Sequence, residues 1–148
     1  MQKRGIHGPS ICYMCRKTNE SIEHILNNCE IVEIMWNGIA RTFMQTDRDS
    51  TNINTTIIKW WKGGFKSEVL NRAWRLSLGF ILWGIWKERN HRIFIGEFNN
   101  INQIWQKMVE NVRETILVEK WTEDDWKTNG IENQILATLK IETSNAVK

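Results

Sequence analysis

Apolar residues recur every three or four positions along most of this chain, and almost nowhere at every second position. Ile22, Ile25 and Leu26 share one side of a helical turn that Ser21 can cap, and Glu23 suits its first turn through the dipole. Ile31, Ile34, Met35, Gly38, Ile39 and Thr42 keep the same spacing, which predicts a helix over residues 30–44. Gly5, Gly8 and Pro9 predict an extended or turning entry. Residues 45–56, rich in Asp, Asn, Thr and Ser, predict a loop. A short apolar segment follows in Ile57, Ile58, Trp60 and Trp61, and Gly63-Gly64 stops it.

The longest predicted helix starts at a Ser67 cap and runs to about Ile93. Val69, Leu70, Ala73 and Trp74 share a single side of its first turns, and Leu76 to Trp86 is apolar almost all round. Such a segment belongs in a core or against a partner. Gly79 and Gly84 would each cost about 1 kcal/mol relative to Ala, so they mark places where another helix comes close. The helix ends in Lys87, Arg89, His91 and Arg92, cations where the dipole favours them. Beyond Gly96, Asn100 and Gln103 have capping-box spacing, and Ile101, Ile104, Trp105, Met108, Val112, Thr115 and Ile116 trace a second long stripe. Trp121 and Trp126 bracket an acidic stretch, Asn129-Gly130 reads as a turn, and Ile131, Ile135, Leu136 and Leu139 predict a last short helix.

Composition changes the picture only at the margins. With 148 residues, 41% hydrophobic and 25% charged, the chain is neither disordered nor low in complexity. Its longest apolar block, Leu76 to Trp86, falls well short of the roughly 20 residues that span a bilayer, and Arg72 and Arg75 precede it. Met1-Gln2-Lys3-Arg4-Gly5 has no apolar core behind its charges, so no signal peptide is predicted. The expectation is an intracellular protein, nuclear or cytoplasmic, with no membrane partner and no small-molecule substrate. The net charge of +3 is unevenly spread. Residues 1–17 carry four basic and no acidic side chains, and residues 59–92 carry eight basic and two acidic, while the stretches after each are acidic. The two basic zones form either a footprint for nucleic acid or ordinary solvated helix faces.

The three cysteines cannot all pair with one another, and all fall within 18 residues, with His24 among them. Cys12-x2-Cys15-x8-His24-x4-Cys29 can supply two thiolates from a tight knuckle and two more ligands from a helical turn just beyond it. That is a closed Cys3His set, the arrangement of a structural Zn2+ rather than a catalytic one. Reduced cysteines beside a surface histidine are the plainer alternative, and His7 can stand in for His24 at a less natural distance. The predicted fold class is all-α, with a small CCHC zinc module followed by a helical bundle around one long buried central helix. The predicted division is a zinc module with its following helix over residues 1–45, a helical region over 46–141 and a flexible tail over 142–148.

Two blocks carry a family resemblance. Ser10-Ile11-Cys12-Tyr13-Met14-Cys15 with Glu20-Ser21-Ile22-Glu23-His24-Ile25-Leu26-Asn27-Asn28-Cys29 and Trp36 resembles the zinc-binding region downstream of the reverse transcriptase in plant LINE-type (non-LTR) retrotransposons. Trp60-Trp61 and Leu82-Trp83-Gly84-Ile85-Trp86-Lys87-Glu88-Arg89-Asn90-His91-Arg92-Ile93-Phe94 are similar to a later signature of the same elements. The resemblance covers roughly residues 3–98. It implies contact with element RNA or target DNA, a nuclear location, and a C-terminal fragment shortened at its N-terminal end. It implies no polymerase, because no paired-aspartate motif is present, and Asp124-Asp125 is an isolated acidic pair rather than a member of a ribonuclease H set.

Two functions compete on these residues. In a nucleic-acid module, Lys3, Arg4, Arg16 and Lys17 around the knuckle and Lys87, Arg89 and Arg92 at the helix end would contact phosphates. Tyr13 would either stack on an unpaired base or cover the metal. In a protein-interaction or homodimerising module, exposed tryptophan and other apolar surface would form the contact. Trp36, Trp74, Trp83, Trp86 and Trp105 sit on core stripes, while Trp60, Trp121 and Trp126 are expected to be partly exposed. No nucleophile–base pair or phosphate loop points to an enzyme.

Overall fold

A computed structural model describes residues 10–45, 52–62 and 64–142. A hairpin-like knuckle and a wide turn, His24–Asn28, lead into α1 (Glu30–Thr42), α2 (Ile53–Trp61), α3 (Glu68–Phe94), α4 (Ile101–Val118) and α5 (Gly130–Thr138), with a single 3-10 turn at Asp124–Trp126. Among the described residues the only extended pairing is the isolated bridge between Ile11 and Asn19. The fold is all-α, and the Cys/His cluster precedes the helical region.

The caps account for where the helices begin. Ser67 Oγ accepts from the Leu70 amide at 3.2 Å, and Asn100 and Gln103 complete a reciprocal capping box. Asn52 starts α2 by accepting from the amides of Asn54 and Thr55. This overturns the last four residues of the loop expected over 45–56, of which 46–51 lie outside the described residues. Ile53, Thr56 and Trp60 lie three and four apart and are buried, so tertiary burial outweighs the polar local sequence. Asn129 likewise opens α5, its side chain accepting from Glu132 N at 2.9 Å, rather than making a free turn. The expected entry at Gly5, Gly8 and Pro9 lies outside the described residues, as do Gly63 and positions 143–148 of the expected tail.

α3, about 40 Å long at 1.5 Å per residue, is the axis of the molecule. It packs against α1, α2, α4 and both short turns. α4 runs back along it: Arg72 meets Glu119 at one end, Gly84 meets Ile104 midway, and Glu88 meets Asn99 at the other end. A Cβ on Gly84 would lie 3.3 Å from the Ile104 side chain, so this glycine does mark a close helix approach. Gly79 does not, since nothing lies within 4 Å of its missing Cβ. At the other end of α3, Trp36, Trp60 and Trp74 pack ring to ring with Phe43 and Phe65. Trp60, inside this cluster, and Trp126 are buried and not partly exposed, whereas Trp83, placed on a core stripe by its spacing, is 57% exposed. No helix among the described residues is long and apolar enough to cross a membrane.

Candidate metal centre

The knuckle is built from backbone hydrogen bonds. Cys12 N donates to Thr18 O at 2.8 Å, Glu20 N to Ser10 O at 2.7 Å, and Arg16 N back to Cys12 O at 2.8 Å. Closing so tight a turn puts Arg16 at φ 58°, in the left-handed region. The turn directs the Met14 amide at Cys12 Sγ, 3.4 Å away. Ser21 Oγ accepts from His24 N at 3.0 Å and starts the second half of the site. In an ordinary helix, residues five apart face different directions. Here Cys29 N donates to His24 O at 2.7 Å, an i to i+5 closure that widens the turn and brings His24 and Cys29 back to one point.

The ligand atoms of Cys12, Cys15, His24 and Cys29 all lie within 4.8 Å of one another. Cys12 Sγ and Cys29 Sγ are 3.9 Å apart, and Cys15 Sγ and His24 Nε2 are 3.4 Å apart. A tetrahedral zinc with ordinary bond lengths sets sulfur–sulfur edges of about 3.8 Å and sulfur–nitrogen edges of about 3.5 Å, so the donor set fits the ion. Cys12 and Cys29 are fully buried and Cys15 and His24 half-buried. Thr18 Oγ1 sits 3.0 Å from His24 Nε2 and 3.7 Å from Cys15 Sγ, bracing the more exposed pair.

The charge of the site points the same way. The Cys29 thiol hydrogen-bonded to Cys12 pulls the Cys12 pKa down to about 5, against the effect of burial and with help from the Cys15 and Met14 amides. Cys29 is pushed up by the same hydrogen bond and by burial. Burial pushes His24 down, but the neighbouring Cys15 and Cys12 sulfurs outweigh it and hold it above its ordinary value. Such a cavity attracts a cation, and its four soft and borderline donors suit zinc. Three thiolates and one imidazole fill a tetrahedron and leave no open position, so the metal is structural.

Two of the three helix-end cations expected to contact nucleic acid, Arg89 and Arg92, have another occupation. Arg89 is 6% exposed, and its Nε and Nη2 donate to Glu20 Oε1 at 2.9 and 2.5 Å. Arg92 donates from Nε to Glu88 at 2.7 Å and from Nη1 to the carbonyls of Tyr13 and Met14, each at 3.1 Å. Both residues grip the knuckle from α3, with side chains only 8% and 10% exposed. Burial pushes the Glu20 carboxyl up, but the hydrogen bond and charge of Arg89 outweigh it and hold the group below its ordinary value. Phe98, 4.9 Å from both the Arg16 and the Arg92 guanidinium, lies between knuckle and helix. Lys17 and Lys87 are exposed, Lys17 beside Glu30 at 2.8 Å, and Tyr13 is half-buried. Lys3, Arg4 and His7 lie outside the described residues.

The carboxylates that tie the elements together escape a reading of the sequence. Glu20 carries no local pattern at all. Glu88 and Arg92 stand at i, i+4, a pairing signal that the sequence does contain. Glu23, read as a first-turn residue of its own helix, accepts from the Ile53 amide at 2.7 Å and so anchors the start of α2. Glu132 of α5 accepts from the amides of Lys66 and Ser67 at the start of α3.

Residues 1–36 match a family model described as zinc-binding in reverse transcriptase. No curated protein and no solved structure matches the chain. The match and the Cys3His geometry together identify a zinc-binding module related to reverse transcriptases, with zinc as its structural cofactor.

Proposed function

We propose that the protein is a non-catalytic module, derived from a LINE-type retrotransposon polyprotein, that binds RNA or single-stranded DNA with low sequence specificity. The observation that carries this reading is the match of residues 1–36 to a zinc-binding region of enzymes that work on nucleic acid. The similarity of residues 82–94 to a later signature of plant elements extends it beyond that region. Arg16 and Lys17 stand exposed on the knuckle, with Lys87 on α3 as a further exposed cation. Phosphate would compete with Glu30 for Lys17, in a contact blind to base identity. The match covers a zinc-binding region and no catalytic one, and the closed donor set gives zinc no place to activate water. In titrations of labelled oligonucleotides against the zinc-loaded chain, affinity should fall steeply with salt. Lys17→Gln should weaken all sequences alike and reduce the salt slope by about 1. A wild-type affinity that ignores salt would refute the reading.

A protein-interaction or homodimerising role is the second reading. It is supported by Ile58 and Trp61, three apart on one face of α2 and both exposed, although Arg75 partly covers Trp61 at 5.5 Å. Light scattering that gives a dimer mass for the wild type and a monomer mass for Ile58→Lys would favour it.

A further inference from the structure

Between the C-terminal half of α3 and the facing side of α4 lies an open groove of about 650 Å³. Its base is apolar, with Gly84 and the buried Ile104 and Met108. On the α3 wall, Trp83, Lys87, Asn90 and Phe94 follow one another at i, i+4, i+7 and i+11, which is a single helix face. Ring, cation, amide and ring thus alternate along about 16 Å of helix. Lys107 and Asn111, also four apart, repeat cation and amide on the α4 wall. Trp83 is 57% exposed and Phe94 78%, unusual for side chains this large.

The one carboxylate on the lining, Glu88, is buried and engaged by Arg92 and Asn99. Lys107 has only a loose, exposed partner in Glu110 at 3.9 Å. Among the described residues the lining thus offers two lysines, with exposed Glu97 and Glu110 only beside it, at His91 and Lys107, and this balance favours a polyanion. Phe80, Trp86 and Ile95 add apolar surface to the same lining, and Lys87 and Lys107 set one cation on each wall. Single-stranded nucleic acid alternates flat apolar faces with charge in the same way, and exposed aromatics beside basic groups are how such strands are held.

We infer that this groove takes single-stranded nucleic acid, with bases stacked on Trp83 and Phe94 and phosphates beside Lys87 and Lys107. Asn90, whose carbonyl is held by Arg89 at 3.1 Å, and Asn111 bring amide groups for base edges. The inference rests on the nucleic-acid reading above and gives it a second contact surface besides the knuckle.

The test is fluorescence anisotropy of labelled oligo(dT) and oligo(U) with the zinc-loaded full chain at low salt. Trp83→Ala and Phe94→Ala should each weaken binding by roughly tenfold. Trp83→Phe, which keeps a stacking face, should retain most of the affinity, and Lys87→Glu with Lys107→Glu should lower both affinity and salt slope. Helix content and bound zinc, measured on every variant, separate lost contact from lost fold. If the wild type binds and Lys17→Gln weakens it while Trp83→Ala and Phe94→Ala bind unchanged, the groove is overturned and the knuckle reading stands. If the wild type binds neither oligonucleotide, both fall. If Trp83→Ala abolishes self-association with oligonucleotide binding intact, the groove belongs to a protein partner and the inference is overturned.

Discussion

Arg89 and Glu20 are joined through two short hydrogen bonds to a single carboxylate oxygen, with side-chain exposures of 8% and 1%. Removing charges from water is costly, and the pair holds only while both members are present. Arg89→Met should therefore destabilise the fold in urea unfolding, by about 3 kcal/mol or less, because it removes a charged partner of a buried carboxylate. The double variant Glu20→Gln, Arg89→Met should recover much of that loss, and additive losses would disprove the coupling. The pair also sets a pH dependence. The Glu20 pKa is depressed on folding, so its contribution is fully present above the unfolded value and is lost as pH falls through the folded one. Arg89→Met should flatten that stretch of the acid limb. The basic run at the end of the helix gave no hint of this role, because a cation suited to the dipole and a cation bound to a distant carboxylate look alike in sequence.

At the level of elements, the two glycines of α3 make a paired prediction. Gly79 faces open space, so Gly79→Ala should stabilise the protein by about 1 kcal/mol through helix propensity alone. At Gly84 the same gain is opposed by the Ile104 methyl group 3.3 Å away, so Gly84→Ala should gain less or lose. Equal shifts in the urea midpoint would show that α4 yields freely. The sequence treated both glycines alike, since helical spacing says which face is apolar but not what lies across from it. Features set locally were legible: the Ser67 and Asn100 caps, the α3 and α4 stripes and the ligand spacing all depend on residues within a turn or two. Features set by distant contacts were not. The first turn of α2 needs Glu23 and core burial, and Trp60 is buried by Trp36 and Trp74, partners from α1 and α3 that its own short segment does not reveal. The groove was hidden for the same reason, because Trp83 sits within an apolar run and only the placement of α4 leaves it uncovered.

For the whole molecule, the knuckle and the helices are tied at several points. Trp36 of α1 donates its indole N–H to Leu26 O in the wide turn at 2.8 Å, linking the metal half-site to the aromatic core. Arg92 holds the Tyr13 and Met14 carbonyls and reaches Asn99 O at 3.4 Å, while Glu88 accepts from the Asn99 backbone and side-chain amides. Asn99 lines the groove, so one part-buried network spans from a ligand-bearing turn to the groove wall. A structural zinc supplies on the order of 10 kcal/mol of folding free energy, a large fraction of what holds any domain of this size together. Chelation should therefore disturb more than the knuckle. Tryptophan emission from the core around Trp36 should shift red as zinc is withdrawn, helix content should fall, and oligonucleotide affinity should drop in step with bound metal. Re-adding zinc should restore all three. Cys29→Ser should reproduce the chelated state, since it removes the ligand that also sits at the N-terminus of α1. If chelation instead released zinc with core emission and helix content unchanged, the helices would be stable without the knuckle, and the network through Arg92 would be a contact rather than a brace.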